Sequence, residues 1–193
     1  MSTAATIILV ALVLVIAVAA YSVRSEYAKR QIRTSFGPEY ARVKSDYGSS
    51  RAADRELARR RRMHNSLRLE PISANDRDFY VTSWEHIRGG FLEDPVAALS
   101  GAEQLTARLL RTRGYPVDDR GEQVALLSVQ HGRALAEYRQ ALWVSERVRV
   151  DAAAMPTEVK REALMHYQTF FEDLLAEPGA VDPLRTKESE ATS

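Results

Sequence analysis

The sequence predicts an all-α protein with an N-terminal transmembrane helix, a basic helical stalk and an irregular bundle of about four to six helices. One long segment near the start is apolar and uncharged, and apolar residues elsewhere recur at intervals of three and four. No run of alternating polar and apolar residues predicts a strand. The 193 residues carry a formal net charge of +1, so overall charge favours no class of partner. Because there is no cysteine, disulfides, thiolate nucleophiles and sulfur-rich metal sites are excluded.

Residues 1–23 are predicted to be a transmembrane anchor. The segment from Thr3 to Val23 carries no charge, and about 20 helical residues cross a bilayer core of roughly 30 Å. A cleaved signal peptide is the alternative, because Ala17-Val18-Ala19 has the small-x-small pattern that signal peptidase reads. The chain has no basic residue before the apolar segment and several just after it, which favours an uncleaved anchor with the body in the cytoplasm. Cleavage would instead release a secreted protein.

Residues 24–68 form a basic juxtamembrane segment that we interpret as a helical stalk. Its charges sum to +8, whereas those of residues 69–193 sum to −7. Anionic lipids attract each nearby basic residue by about 1 kcal/mol, and this attraction fades within a Debye length. We therefore expect lipid contact at the basic residues nearest the anchor, which are Arg24, Lys29, Arg30 and Arg33. The alternative for the later part, from Arg51 to Arg68, is a solvated helix face that pairs with acidic residues of the same protein.

Nucleic acid is not an expected partner, although four arginines follow one another from Arg59 to Arg62. Consecutive residues of a helix point all around its axis and do not form one stripe. No aromatic residue between Arg51 and Leu69 is present to stack on bases.

Residues with strong helix-start or helix-stop preferences divide the body into segments. Ser73, followed three residues later by Asp76, resembles a capping box, and Asp94 before Pro95 predicts a helix start. Gly114 is expected to end a helix with a positive φ, and Pro116 prevents its continuation. The residues that we assign as structural joints are Gly37, Pro38, Ser73, Asp94, Pro95, Gly114, Pro116 and His131.

Residues 69–176 are predicted to form the helical bundle between these joints. One stripe comprises Tyr80, Trp84, Ile87 and Phe91, although Gly89-Gly90 weakens the end of that helix. Later helices are expected at about 133–152 and 157–176, and the polar end at 177–193 is predicted to be disordered. Aromatic residues at helical spacing are expected in the core; they are Trp84, Tyr138, Trp143, Tyr167, Phe170 and Phe171.

Several of these motifs together resemble a family of uncharacterised, single-pass membrane-anchored helical proteins of high-GC Gram-positive bacteria. The resemblance covers roughly residues 21–176 and implies an architecture but no reaction or ligand. Two residues depart from the family pattern, namely Gln130 and Gly132, where an Asp and a Pro usually flank the histidine. The motifs are Phe36-Gly37-Pro38-Glu39-Tyr40, Trp84, Phe91 with Asp94-Pro95, Arg113-Gly114-Tyr115-Pro116, Ser128-Val129 with His131, and Tyr138-Arg139.

Catalytic, cofactor-binding and metal-binding motifs are not found in the sequence. The histidines His64, His86, His131 and His166 lie in four separate segments, without the i, i+4 pair of a helical metal site. His131 is the best candidate for acid/base chemistry, since it lies at a joint near Arg133 and Glu137. A histidine at a joint more often caps backbone groups, and adjacent carboxylates such as Glu172 and Asp173 do not face each other.

The sequence thus predicts a membrane-tethered helical protein-interaction or scaffold module, with the lipid bilayer and another protein as partners. It is not expected to be an enzyme or to need a cofactor. The alternative is an envelope-associated enzyme that uses a His131-centred acid/base site.

Overall fold

The computed structural model describes residues 36–176, and every regular element in this range is helical. The all-α prediction is therefore confirmed for these residues. The predicted anchor at 1–23, the four lipid-contact residues between 24 and 33, and the predicted disordered tail at 177–193 lie outside the described residues. Between residues 36 and 176 no helix has the length and apolar character needed to cross a membrane.

Seven α-helices follow one another within the described range, and the fourth is preceded by a 3₁₀ turn. The third helix ends at the glycine pair, and the turn Gly90–Leu92 follows it directly. The helices are α1 (Pro38–Tyr47), α2 (Ser50–Asn65), α3 (Ala74–Gly89), α4 (Pro95–Thr112), α5 (Arg120–Leu127), α6 (Leu135–Val150) and α7 (Thr157–Leu175).

Capping side chains and glycines place several of the helix ends. Ser73 Oγ accepts a hydrogen bond from the Asp76 N–H at the start of α3. Asp94 Oδ1 accepts hydrogen bonds from the N–H groups of Val96 and Ala97, and Pro95 opens α4. After α4, Gly114 has a φ of 87°, in the left-handed region.

The chain divides into two compact units between Arg61 and Arg62, within α2. In the first unit, Arg60 pairs with Glu39 and Glu56, and Arg59 also pairs with Glu56. The hydrogen bond from Arg59 is the main reason why the pKa of Glu56 is below its usual value. Glu39 and Glu56 both lie within the basic segment 24–68. The charges of Arg59 and Arg60 are therefore partly neutralised by carboxylates of the same segment.

The core of the second unit is built around α7, which packs against α4 and α6, while α3 packs against α4. Tyr138 stacks on Phe170 with ring centroids 4.2 Å apart, and Trp84 stacks on Phe171 at 4.9 Å. Burying these rings removes a large apolar area from water, which stabilises the packing of α7.

One aromatic residue departs from the predicted core. Trp143 is 52% exposed, so its assignment to the core was wrong. Its neighbour Leu142 is buried and faces the bundle. Successive helical residues differ by about 100° in direction, which turns the Trp143 side chain towards the outside of α6.

Candidate functional site

His131 lies at the joint between α5 and α6, and its side chain faces inward. The backbone N–H donates to the Leu127 carbonyl oxygen, and the His131 carbonyl oxygen accepts from the Leu135 N–H. The residue is 6% exposed, and its Nδ1 is 2.5 Å from Oδ2 of Asp173 on α7. A residue from a joint and a carboxylate from a distant helix are therefore in direct contact.

The phenol of Tyr115 connects this pair to two further side chains. Its hydroxyl oxygen lies 3.1 Å from His131 Nε2, 3.2 Å from Gln130 Oε1 and 3.4 Å from His64 Nε2. His64 lies in the last turn of α2, and Tyr115 follows the helix stop at Gly114. We call His64, Tyr115, Gln130, His131 and Asp173 the joint cluster, because it links two joints, the end of α2 and α7.

The number of donor protons in the cluster limits which hydrogen bonds can form at the same time. An ionised Asp173 can only accept, so Nδ1 of His131 is the donor in that hydrogen bond. Tyr115 has one hydroxyl proton and donates either to Gln130 Oε1 or to Nε2 of a neutral His131. In the second case the Tyr115 oxygen can accept from His64 Nε2–H, which gives an unbroken chain of donors from His64 to Asp173.

The chemistry of the cluster is constrained by burial. An aspartate that orients a histidine towards a hydroxyl group is the arrangement used in nucleophilic catalysis. Here, however, burial raises the pKa of Tyr115 to about 12, so the phenol stays protonated at neutral pH. Burial also lowers the pKa of His64, which favours its neutral form. Tyr115 is 3% exposed, and a nucleophile needs an accessible oxygen. The arrangement is better suited to holding helices together than to attacking a substrate.

Sequence reasoning missed most partners of His131. The expectation that its side chain caps backbone groups was wrong, since the ring bonds to Asp173 and Tyr115. Glu137, its expected neighbour in the sequence, instead pairs with His166. Asp173 lies 42 positions after His131, and no local spacing could have indicated their contact. Gln130 is also part of the cluster, because its Oε1 accepts from the Tyr115 hydroxyl group.

Metal binding is not indicated in the described range. Between residues 36 and 176, no three or more His, Asp or Glu side chains form a group able to hold a metal ion. His64 and His131 both contact the Tyr115 hydroxyl group, which occupies the position between their rings.

A cavity of about 140 Å³ lies between α4 and α6, apart from the joint cluster. One wall carries Glu103, whose two oxygens accept hydrogen bonds from Arg120 at 2.9 Å and Arg149 at 3.0 Å. Ligand pockets for drug-sized molecules usually measure about 300 to 1,000 Å³, so this space is small. The cavity is lined by Val96, Leu99, Ser100, Glu103, Ser145, Val148 and Arg149, and it does not include the joint cluster.

The chain matches no family model, no curated protein and no solved structure. The resemblance to membrane-anchored proteins of high-GC Gram-positive bacteria therefore stays a prediction.

Proposed function

We propose that the protein is a membrane-tethered helical module that binds another protein through the outer face of α6. The observation that carries this proposal is Trp143, a large aromatic residue that is 52% exposed. The Arg147 guanidinium lies over its ring, 4.9 Å from the ring centre. Tryptophan and arginine are enriched at the binding hot spots of protein interfaces.

The residues around Trp143 form one continuous exposed stripe, which we call the α6 face. Its members recur at intervals of four, three, four and three, so they lie on one side of the helix. All of them are exposed; they are Ala136, Gln140, Trp143, Arg147 and Val150. Val150 is 80% exposed and extends the apolar part towards the end of α6.

The charges along this face indicate the chemistry of the partner. Arg147 lies one turn after Trp143 and is exposed, whereas the neighbouring Glu146 pairs with Arg149. We infer a partner segment that combines apolar side chains with acidic ones.

The tether is the apolar segment at residues 1–23, followed by the basic residues Arg24, Lys29, Arg30 and Arg33. The positive flank after the apolar segment supports a cytoplasmic body. If the basic residues contact anionic lipid, a chain beginning at Arg24 will bind vesicles that contain acidic lipid, and salt will weaken the binding. Glutamate at all four positions should abolish it. Vesicle binding that survives this charge reversal would contradict the lipid contact.

Cross-linking in native membranes tests the interaction surface. A photoreactive amino acid at Gln140 of the full chain should form a cross-linked product with a protein. Replacing Trp143 and Arg147 by alanine should remove most of that product. The matched control replaces Arg161 and Met165 on α7 by alanine. These two residues are likewise an exposed arginine and an exposed apolar residue one turn apart, and Arg161 Nη1 lies 2.9 Å from Met165 Sδ. If the two double variants formed equal amounts of the cross-linked product, this result would contradict the proposal.

A second candidate is an envelope-associated enzyme that uses His131 in acid/base chemistry, and the His131–Asp173 contact favours it. Such an enzyme needs an imidazole that reagents can reach. Under limited acylation by diethyl pyrocarbonate, we expect the exposed His86 to react and His131 to be protected, because His131 is only 6% exposed. Reaction of His131 as fast as His86 would favour the enzyme.

A further inference from the structure

Arg113 is a buried cation without a counter-ion in the described range. The residue is 2% exposed, and its side chain is one of the largest that are fully buried among residues 36–176. Its Nε is buried and donates to no acceptor among residues 36–176. No carboxylate of that range forms an ion pair with it, in contrast to Arg60, which is paired with Glu39 and Glu56.

This arrangement is unfavourable unless something else accepts from the guanidinium. A guanidinium carries a positive charge and five N–H donors, so its burial is favourable only where acceptors are present. Buried polar groups in native proteins are nearly always hydrogen-bonded, and an unpaired one indicates a bound water or ion. A charged donor favours a charged acceptor over water.

Backbone hydrogen bonds hold the main chain of Arg113 on both sides. The Arg113 N–H donates to the Leu109 carbonyl oxygen at 2.9 Å, and its own carbonyl oxygen accepts from the Glu70 N–H at 3.1 Å. The following Gly114 has a left-handed backbone that turns the chain at this point. The main chain of Arg113 therefore links the end of α4 to the segment that crosses it.

The carboxylate of Asp173, which acts on the same phenol as Arg113, is already engaged by His131. Besides burial, the charges of Arg113 and Asp173 act on the phenol of Tyr115 in opposite directions. The Asp173 carboxylate, however, lies 2.5 Å from His131 Nδ1 and forms its bond there. The Arg113 guanidinium thus forms no ion pair with Asp173 or with any other carboxylate among residues 36–176.

We propose that Arg113 anchors a site for one small oxyanion, a carboxylate or a phosphate. The planar guanidinium presents donors that match two oxygens of such an ion. Because the side chain is almost fully covered, the site takes a small free ion and not the headgroup of a lipid. This inference is independent of the α6 face, which lies on a different helix.

Thermal unfolding of the full chain in detergent micelles tests the site. Phosphate and acetate are the probes, and sodium chloride of equal ionic strength is the reference. At ten times the dissociation constant, we expect phosphate or acetate to raise the melting temperature by about 3 to 5 °C. Arg113→Met should lose this shift, whereas Arg111→Met, a matched change at an exposed arginine, should retain it. Equal shifts in both variants would overturn the proposal.

A measurement on the unaltered chain covers the case in which Arg113→Met does not fold. With ¹⁵N-labelled arginine, a buried Nε–H exchanges slowly with water and gives a distinct resonance. This resonance should move on addition of phosphate or acetate and not with chloride. No movement with either anion up to about 50 mM would overturn the site and assign a water to Arg113. An equal response to glycerol 3-phosphate would overturn the restriction to small ions.

Discussion

The carbonyl oxygen of Arg68 lies against Gly114 so closely that a Cβ at position 114 would be 2.4 Å from it. The segment between α2 and α3 thus crosses the end of α4 at the one residue type that leaves room. Two features of position 114 favour glycine. Its φ of 87° lies in the left-handed region, and the Arg68 carbonyl oxygen leaves no room for a Cβ.

Replacing Gly114 by alanine should therefore destabilise the fold by about 2 kcal/mol or more, because the left-handed conformation alone costs about 1 to 2 kcal/mol. Gly48→Ala is the matched control, since Gly48 has a φ of 69° but a Cβ added there would meet no atom within 4 Å. Thermal unfolding followed by circular dichroism should show the larger loss for Gly114→Ala. Equal losses would mean that the contact with Arg68 has no energetic weight.

Tyr115→Phe tests whether the joint cluster stabilises the bundle. The change removes the hydroxyl group that lies near His64, Gln130 and His131, and it leaves buried polar atoms without that partner. We expect a loss of about 1 to 3 kcal/mol in the free energy of unfolding, measured by chemical denaturation. The control is Tyr47→Phe, at an exposed tyrosine, which should change stability by less than about 0.5 kcal/mol. An unchanged stability of Tyr115→Phe would show that the cluster adds nothing.

Acidification should weaken the fold in part through His64. Burial lowers its pKa in the folded protein below the usual 6.5, so the unfolded chain binds the proton more readily. Its contribution to stability is fully present above pH 6.5 and is lost as the pH falls towards the lowered value. The free energy of unfolding of the wild type should decrease more between about pH 7.5 and about pH 5 than that of His64→Gln. Parallel pH profiles would remove His64 as a cause.

Core packing on α7 can be measured with a pair of variants on the same helix. Phe170 is fully buried and stacks on Tyr138, so Phe170→Ala should cost about 3 to 5 kcal/mol. Met165 is 50% exposed, and Met165→Ala should cost less than about 0.5 kcal/mol. Chemical denaturation gives both values. A small effect of Phe170→Ala would contradict the central position of α7.

The proposed topology has a direct test in cells. A reporter fused after Ser193 should be active only in the cytoplasm, because positive residues closely follow the apolar segment. Activity outside the cell would contradict this orientation. A mature chain that begins at Ala20 would instead identify residues before it as a cleaved signal peptide.

Local patterns in the sequence were sufficient to predict an all-helical body and several of its helix ends. Capping by Ser73 and Asp94 and the turn at Gly114 depend on atoms within a few residues of one another. Apolar spacing likewise indicated which side of α3 faces the core, and Tyr80 and Trp84 of its stripe are buried. These features follow from backbone geometry and short-range hydrogen bonds, which a sequence displays directly.

The joint cluster, the burial of Arg113 and the exposure of Trp143 were decided only by the tertiary structure. His131 and Asp173 are 42 residues apart and meet because α7 packs beside the α5–α6 joint. Arg113 is buried where the segment from Arg68 to Glu70 crosses the end of α4 and bonds to its carbonyl oxygen. Trp143 is left outside because the buried side of α6 is set by its contacts with α4 and α7. Contacts between distant segments depend on how the helices pack, and helical periodicity carries no information about which helices become neighbours.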